Sequence, residues 1–270
     1  MVDVREELLR HVRSSRVTAS IVADEEGVIA GVALAKTEAE TLGLSVVTIV
    51  GNGSHVREGD EIARLGGTPR QIVMAEDALI GLLAKPSGIA TSASRFVAKA
   101  GGRPRVVSGA WKKMPAVMKE MIRDAVAAGG ADPRIVPGPF VYLDKNYVAL
   151  LGGIKESLAA VAHLEAHTTV VQVKGRYGDV ASEAREAAEH GADIVFIDTG
   201  RAGDVSPVTE CLVRLGLRNR VKLAFGGGLD IEDVDALKRL DIDILDIGRQ
   251  IVDAPLLDMR LEILDASKAT

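Results

Sequence analysis

Three consecutive glycines, Gly226, Gly227 and Gly228, follow the apolar run at 223–225 and precede Asp230, where a helical pattern over 231–240 begins. Glycine has no Cβ to hold a ligand off the backbone. A helix start beyond it presents free N–H groups and the positive end of the helix dipole. The arrangement suits a phosphate, although a tight strand-to-helix turn uses the same residues. Asp198 ends another apolar run, where a carboxylate holds Mg²⁺ or a ribose hydroxyl, or else caps the next helix. Asp246 stands one residue before the end of its run and reads as either inward-facing or paired. Lys112 and Lys113 follow Ser108-Gly109-Ala110-Trp111 and suit anionic groups, the plainer alternative being solvent. Arg134, between Pro133 and an apolar run, is a further candidate for the same site. The five histidines, at 11, 55, 163, 167 and 190, have no metal-ligand or triad spacing, and no Gly-x-Ser-x-Gly elbow occurs.

The elements that position these residues recur in a series. Strand-length apolar runs at 106–107, 140–143, 169–173, 194–197, 223–225 and 242–247 alternate with helical patterns at 116–127, 153–164, 181–189, 205–215 and 231–240. Parallel strands joined by helices form a closed barrel or an open, doubly wound sheet. No G-x-G-x-x-G follows the first strand, so a dinucleotide fold lacks support. Polar or glycine residues follow the strands: Ser108-Gly109, Asp144-Lys145, Lys174-Gly175, Asp198-Thr199-Gly200, Gly226–Gly228 and Gly248-Arg249. A six-unit barrel with its site on that edge is the expected fold.

Before residue 101 the pattern is mixed. A short helix at 4–12, strands at 17–23, 28–33 and 45–50, and two short strands around Gly59 are expected. Thr68-Pro69 caps a helix reaching about residue 83, which Pro86-Ser-Gly-Ile-Ala-Thr91 breaks before a further helix. The tail at 256–264 alternates like a strand that returns to the N-terminal part. The expected domains are 1–100 with about 255–270, an α+β open sandwich, and 101–254, the α/β barrel.

Composition narrows the function. The chain has 270 residues, 47% of them hydrophobic, enough for a sizeable core. Aromatics at 3%, a net charge of -5 and no long basic run argue against nucleic acid. The single cysteine, Cys211, excludes an internal disulfide framework. No apolar stretch is long enough to span a membrane and no signal-peptide core opens the chain, so a soluble cytoplasmic protein is expected.

Ser87-Gly-Ile-Ala-Thr91 after the helix from Arg70, with Gly27-Val-Ile-Ala-Gly31, Arg57-Glu-Gly-Asp60, 125–130, 191–194 and the glycines at 226–228, resembles the quinolinate phosphoribosyltransferase family. The resemblance covers nearly the whole chain. It implies a type II phosphoribosyltransferase barrel and a pentosyltransferase that moves ribosyl 5-phosphate from phosphoribosyl pyrophosphate to quinolinate, with Mg²⁺ and loss of CO₂. It also implies a homodimer, or a higher homo-oligomer, with the site shared between subunits. By the resemblance, Lys112 and Arg134 neutralise leaving pyrophosphate or acceptor charge, and Asp198 holds the ribose or the metal. Gly226, Gly227, Gly228 and Gly248 form the phosphate end, while Glu76, Trp111, Lys113, Lys145 and Gln172 line the substrate.

Departures from the family pattern cluster at the acceptor end. Asp77, Trp111 and Pro133 stand where the family has Arg, Arg and His, and Asp144-Lys145-Asn146-Tyr147 replaces Lys-Asp-Asn-His. Val170-Val171-Gln172-Val173 replaces Glu-Val-Glu-Val. Removing the arginine from a buried Arg–carboxylate pair costs on the order of 2–5 kcal/mol. The expected acceptor is quinolinate or, on these departures, a different or less anionic small aromatic ring, with Trp111 as a stacking surface. The alternative is a non-catalytic relative that binds a phosphorylated nucleotide or metabolite as sensor or scaffold.

Overall fold

A computed structural model describes residues 4–267. In chain order the elements are α1 (Val4–Leu8), β1 (Arg16–Ala23), β2 (Gly27–Val28), α2 (Val32–Thr41), β3 (Ser45–Ile49), β4 (His55–Val56), β5 (Glu61–Gly67) and α3 (Pro69–Ala100). Then come β6 (Arg105–Val107), α4 (Lys119–Ala128), β7 (Phe140–Leu143), α5 (Lys145–Leu151), α6 (Ile154–Val161), β8 (Thr168–Val173), α7 (Val180–Glu189) and β9 (Ile194–Asp198). The chain continues through α8 (Val205–Arg214), β10 (Lys222–Gly226), α9 (Val234–Leu237), β11 (Ile244–Asp246), α10 (Arg249–Val252) and β12 (Met259–Ser267). Two compact units result. One gathers the chain up to Ser94, Pro115–Gly130 and the chain from Asp253; the other gathers Arg95–Met114 and Ala131–Val252.

In the first unit an antiparallel sheet of order β12-β1-β5-β3 buries one face under α2 and α3. Ile21, Ile62 and Leu65 from the strands meet Ala35, Ile72, Leu79 and Leu83 from the helices. The expected tail strand is β12, and it returns to pair with β1, Arg16 opposite Ser267 through Ala23 opposite Met259. The strand expected at 28–33 is only β2, because the chain turns at Gly31 (φ 84) into α2.

The break expected at Pro86 does not occur: α3 runs unbroken through it for 32 residues. Proline removes one i→i−4 bond and frees the carbonyl of residue i−4, here Leu82. The backbone at Gly31 packs there, so closely that a Cβ on Gly31 would lie 2.0 Å from the Leu82 oxygen. Thr68 and Gln71 close the start of the helix reciprocally. The Thr68 N–H donates to Gln71 Oε1 at 2.8 Å, and the Gln71 N–H points back to Thr68 Oγ1 at 3.4 Å.

The second unit holds six parallel strands in the order β6-β11-β10-β9-β8-β7. This is the cyclic order of a six-stranded barrel opened at one seam, between β6 and β7. A single bridge, Val107 to Asp132, lies at that seam. All six strands turn side chains into one core of Val107, Val170, Ile194, Phe196, Ala224 and Ile244, with Phe140 and Tyr142 packed against it and Ile135 filling the seam. The strands are apolar on both faces, as strands buried between a core and covering helices must be. The helical run expected at 231–240 shrinks to a 3₁₀ turn, Ile231–Asp233, and the four residues of α9.

Candidate active site

Side chains alternate along a strand, so the core-facing residues fix what the strand ends present. Two positions beyond Tyr142, Val170, Phe196, Ala224 and Ile244 stand Asp144, Gln172, Asp198, Gly226 and Asp246. The register places Gly226 beside Asp198 on one side and Asp246 on the other. Two carboxylates therefore flank a residue with no side chain. A Cβ on Gly226 would lie 3.0 Å from the Phe196 ring and 3.1 Å from the Asp246 carbonyl, so a side chain there would press on both neighbours.

Three side chains lock together at β8 and β9. The backbone N–H of Lys145 donates to Gln172 Oε1 at 3.0 Å, which orients the amide. Its Nε2 then donates to Asp198 Oδ2. Lys174 Nζ donates to the same Oδ2 at 2.7 Å and to the Asp198 carbonyl at 2.6 Å. Next to them, Asp246 Oδ1 accepts the Gly109 N–H at 3.2 Å. Burial first, and the nearby charge of Asp198, raise the Asp246 pKa above the usual 3.8; the Gly109 bond, Lys112 and Lys113 oppose that rise. Burial, then the charges of Asp246, Asp198 and Asp144, push the Tyr142 hydroxyl well above its ordinary range. Lys112 Nζ sits 5.2 Å above the Tyr142 ring, a cation–π placement that holds the ammonium over the same group.

The residues expected from the sequence divide accordingly. Asp198, Gln172, Lys112 and Gly226 meet at the strand ends, with Lys113 near enough to Asp246 to act on its charge. Lys145 contributes its backbone N–H there, and its side chain is exposed. Asp144 is used as the cap of α5, accepting the N–H groups of Asn146 and Tyr147. Trp111 donates its indole N–H to the Pro133 carbonyl at 2.6 Å, which pins the half-buried ring. Arg134 is exposed on the segment crossing the seam and makes no hydrogen bond or ion pair among the described residues. Glu76 is an exposed residue of α3 in the first unit.

Gly227 and Gly228 adopt φ 118 and 79, open to glycine alone, and Gly248 follows β11 directly. The helix start expected beyond them is not free. Asp230 and Asp233 form a capping box on the 3₁₀ turn, the Asp230 N–H donating to Asp233 Oδ2 at 2.8 Å. Two carboxylates at that turn cancel the positive field expected of a helix N-terminus.

The metal expectation for Asp198 meets a similar obstacle. Its Oδ2 is already taken by an amide and an ammonium, and among the described residues no three His, Cys, Asp or Glu side chains gather as ligands. These residues do not fit a resident divalent ion. Lys174 stands in the strand-end series without an assigned role and Tyr142 lies outside it, yet both are site residues, and Asp246, left open between two readings, proves to face the site. Counting every second residue onward from Val170 and from Ile244 is the signal that finds Lys174 and Asp246.

Family models give the decisive comparison: the quinolinate phosphoribosyl transferase N-terminal domain matches residues 3–87 and its C-terminal domain matches 89–262. The chain belongs to the quinolinate phosphoribosyltransferase family. A probable nicotinate-nucleotide pyrophosphorylase (carboxylating) of Archaeoglobus fulgidus is 31% identical over 92% of this chain and 95% of its own length. Its counterpart in Methanothermobacter thermautotrophicus is 29% identical over 93% and 90%. The solved nicotinate-nucleotide pyrophosphorylase from Francisella tularensis shares the fold, with a TM-score of 0.84 at 20% identity, covering 97% of this chain and 90% of that one.

Of the stretches that resemble the quinolinate phosphoribosyltransferase family, Ser87–Thr91 is the most specific, and its role here is structural. Ser87 Oγ accepts the Ala30 N–H at 3.0 Å and Thr91 Oγ1 accepts the Val28 N–H at 2.9 Å. The motif ties α3 to the other matching stretch, Gly27–Gly31.

Proposed function

We propose that this chain is a pentosyltransferase that moves the 5-phosphoribosyl group of phosphoribosyl pyrophosphate onto the ring nitrogen of a small aromatic acceptor. The observation that carries this reading is Asp198, in register beside Gly226 at the strand ends of a chain that its family matches over residues 3–262. As the bond from the anomeric carbon to diphosphate breaks, positive charge builds on that carbon until the ring nitrogen bonds to it. A carboxylate held in place by Gln172 and Lys174 lowers the energy of that state without reorganising. Lys112, and Arg134 on its exposed segment, supply positive charge for the departing diphosphate.

The acceptor carries less negative charge than quinolinate. Trp111 and Pro133 stand where the family pattern has Arg and His. Trp111 is uncharged and its indole N–H is taken by the Pro133 carbonyl, so neither position supplies a cation for a second carboxylate. A purified sample given phosphoribosyl pyrophosphate and Mg²⁺ is offered quinolinate, pyridine monocarboxylates and pyridine carboxamides, and pyrophosphate release is followed. The expected order of kcat/KM puts a monoacid or neutral ring above quinolinate. Quinolinate as the best acceptor rejects the altered specificity, and no release with any ring rejects transfer. The subunits associate as a homodimer or higher homo-oligomer, as the family resemblance implies; a monomer by sedimentation at assay concentration rejects that part.

A further inference from the structure

One cation at the strand ends is held more firmly than the others, and the loop that carries it winds round a buried carboxylate. Glu183, in the first turn of α7, is only 3% exposed. Its Oε2 accepts the backbone N–H groups of Lys174 and Gly175, each at 2.8 Å. Its Oε1 accepts those of Arg176 and Tyr177, the latter at 2.7 Å. Four successive amides thus converge on one side chain and fix the turn from β8 into α7. Lys174 leaves that turn toward Asp198, and its two bonds there use two of the three ammonium hydrogens.

The strand end Lys174 reaches is joined to the glycine loop. The Gly200 N–H donates to the Gly226 carbonyl at 2.9 Å. A Cβ on Gly200 would lie 2.1 Å from the Gly227 oxygen, and one on Gly227 would lie 2.5 Å from the Gly200 nitrogen. The loop lacks a helix dipole to draw a phosphate, because Asp230 and Asp233 occupy the turn behind it. Positive charge must come from side chains. Lys112 stands over Tyr142, Arg201 is paired with Asp204, and Lys113 and Arg249 are exposed without such fixing. Lys174 is the cation built into the frame.

We propose that Lys174 binds phosphate oxygens of the phosphoribosyl donor with its remaining hydrogen and its charge, and that Glu183 is the positioning residue that aims it. The proposal rests on the phosphoribosyl-transfer reading. Calorimetry on the full chain with phosphoribosyl pyrophosphate, inorganic pyrophosphate and ribose 5-phosphate tests it in Lys174→Met, Lys174→Arg and Glu183→Gln. Loss of one charge-assisted hydrogen bond weakens binding about 10–100-fold, so Lys174→Met is expected to raise the Kd for the donor by that factor. Lys174→Arg is expected to restore most of the binding. Glu183→Gln, which cannot hold all four amides with one oxygen, is expected to raise Kd and KM more than it lowers kcat. Whichever of inorganic pyrophosphate or ribose 5-phosphate loses affinity in Lys174→Met identifies the end that Lys174 holds. Donor binding by Lys174→Met equal to wild type overturns the proposal, whether or not Glu183→Gln folds. Wild-type protein that binds no donor overturns the transfer reading with it, whereas wild-type transfer unaffected by Lys174→Met overturns this inference alone.

Discussion

Asp246 holds its proton to higher pH in the folded chain than the ordinary 3.8 of an unfolded aspartate, chiefly because it is buried. The folded state therefore binds more protons than the unfolded state above that value. The associated stability is full below 3.8 and is lost as pH rises through the folded pKa. Asp246→Asn keeps an oxygen for the Gly109 N–H and removes the charge. Its urea midpoint is expected to gain on wild type as pH rises from about 4 to about 8; parallel curves would show that no such linkage exists. Thr91→Val leaves the buried Val28 N–H without its acceptor, so a loss of about 1–3 kcal/mol is expected in the same measurement. Asp198 is legible in the sequence because it ends an apolar run and Lys112 because it follows a strand-end turn, whereas Gln172, inside its run, is reached only through the family resemblance. The inward direction of Lys174 and Asp246 is not legible, because β8 is apolar on both faces and β11 is only three residues long. Without polar alternation, nothing in the string says which phase of a strand faces the core.

At the level of elements, the strand series is legible, since apolar runs of strand length separated by helical patterns fit few folds. Elements are misplaced where tertiary packing overrules local preference. Pro86 ends an isolated helix, yet α3 passes through it, and Gly31 packs against the carbonyl that proline frees. Helix α5 is hidden beside Gly152 and Gly153, and the capped turn at Ile231–Asp233 reads as a longer helix. Two residues beyond Pro86 the helix presents Gly88, where a Cβ would lie 1.8 Å from the Pro255 carbonyl. Backbone faces backbone there, so no rotamer relieves the clash. Gly88→Ala is expected to cost about 3 kcal/mol or more, seen as a drop of several degrees in Tm; an unchanged Tm would mean that the tail at 255–257 does not lie against α3.

For the molecule as a whole, the tail closes the first unit. β12 covers one edge of β1, and Leu257 and Met259 enter the core beneath. Deleting residues 259–267 exposes that edge, and an unpaired flat edge invites association with other chains. The deletion variant is expected to lose hydrogen-exchange protection across β1 and to aggregate. Protected β1 amides would show that β5 alone holds the strand. The same arrangement sets an order of events during synthesis. A nascent chain emerges residue by residue, and domains usually fold as they appear. Here β1 is among the first elements out, yet its partner strand is translated after every barrel strand. The six parallel strands can collect their core while the earlier sheet still waits with one side bare. The part of the protein made first is thus the part finished last, and a chain that stops before residue 259 holds all six parallel strands but leaves the first sheet with an open edge.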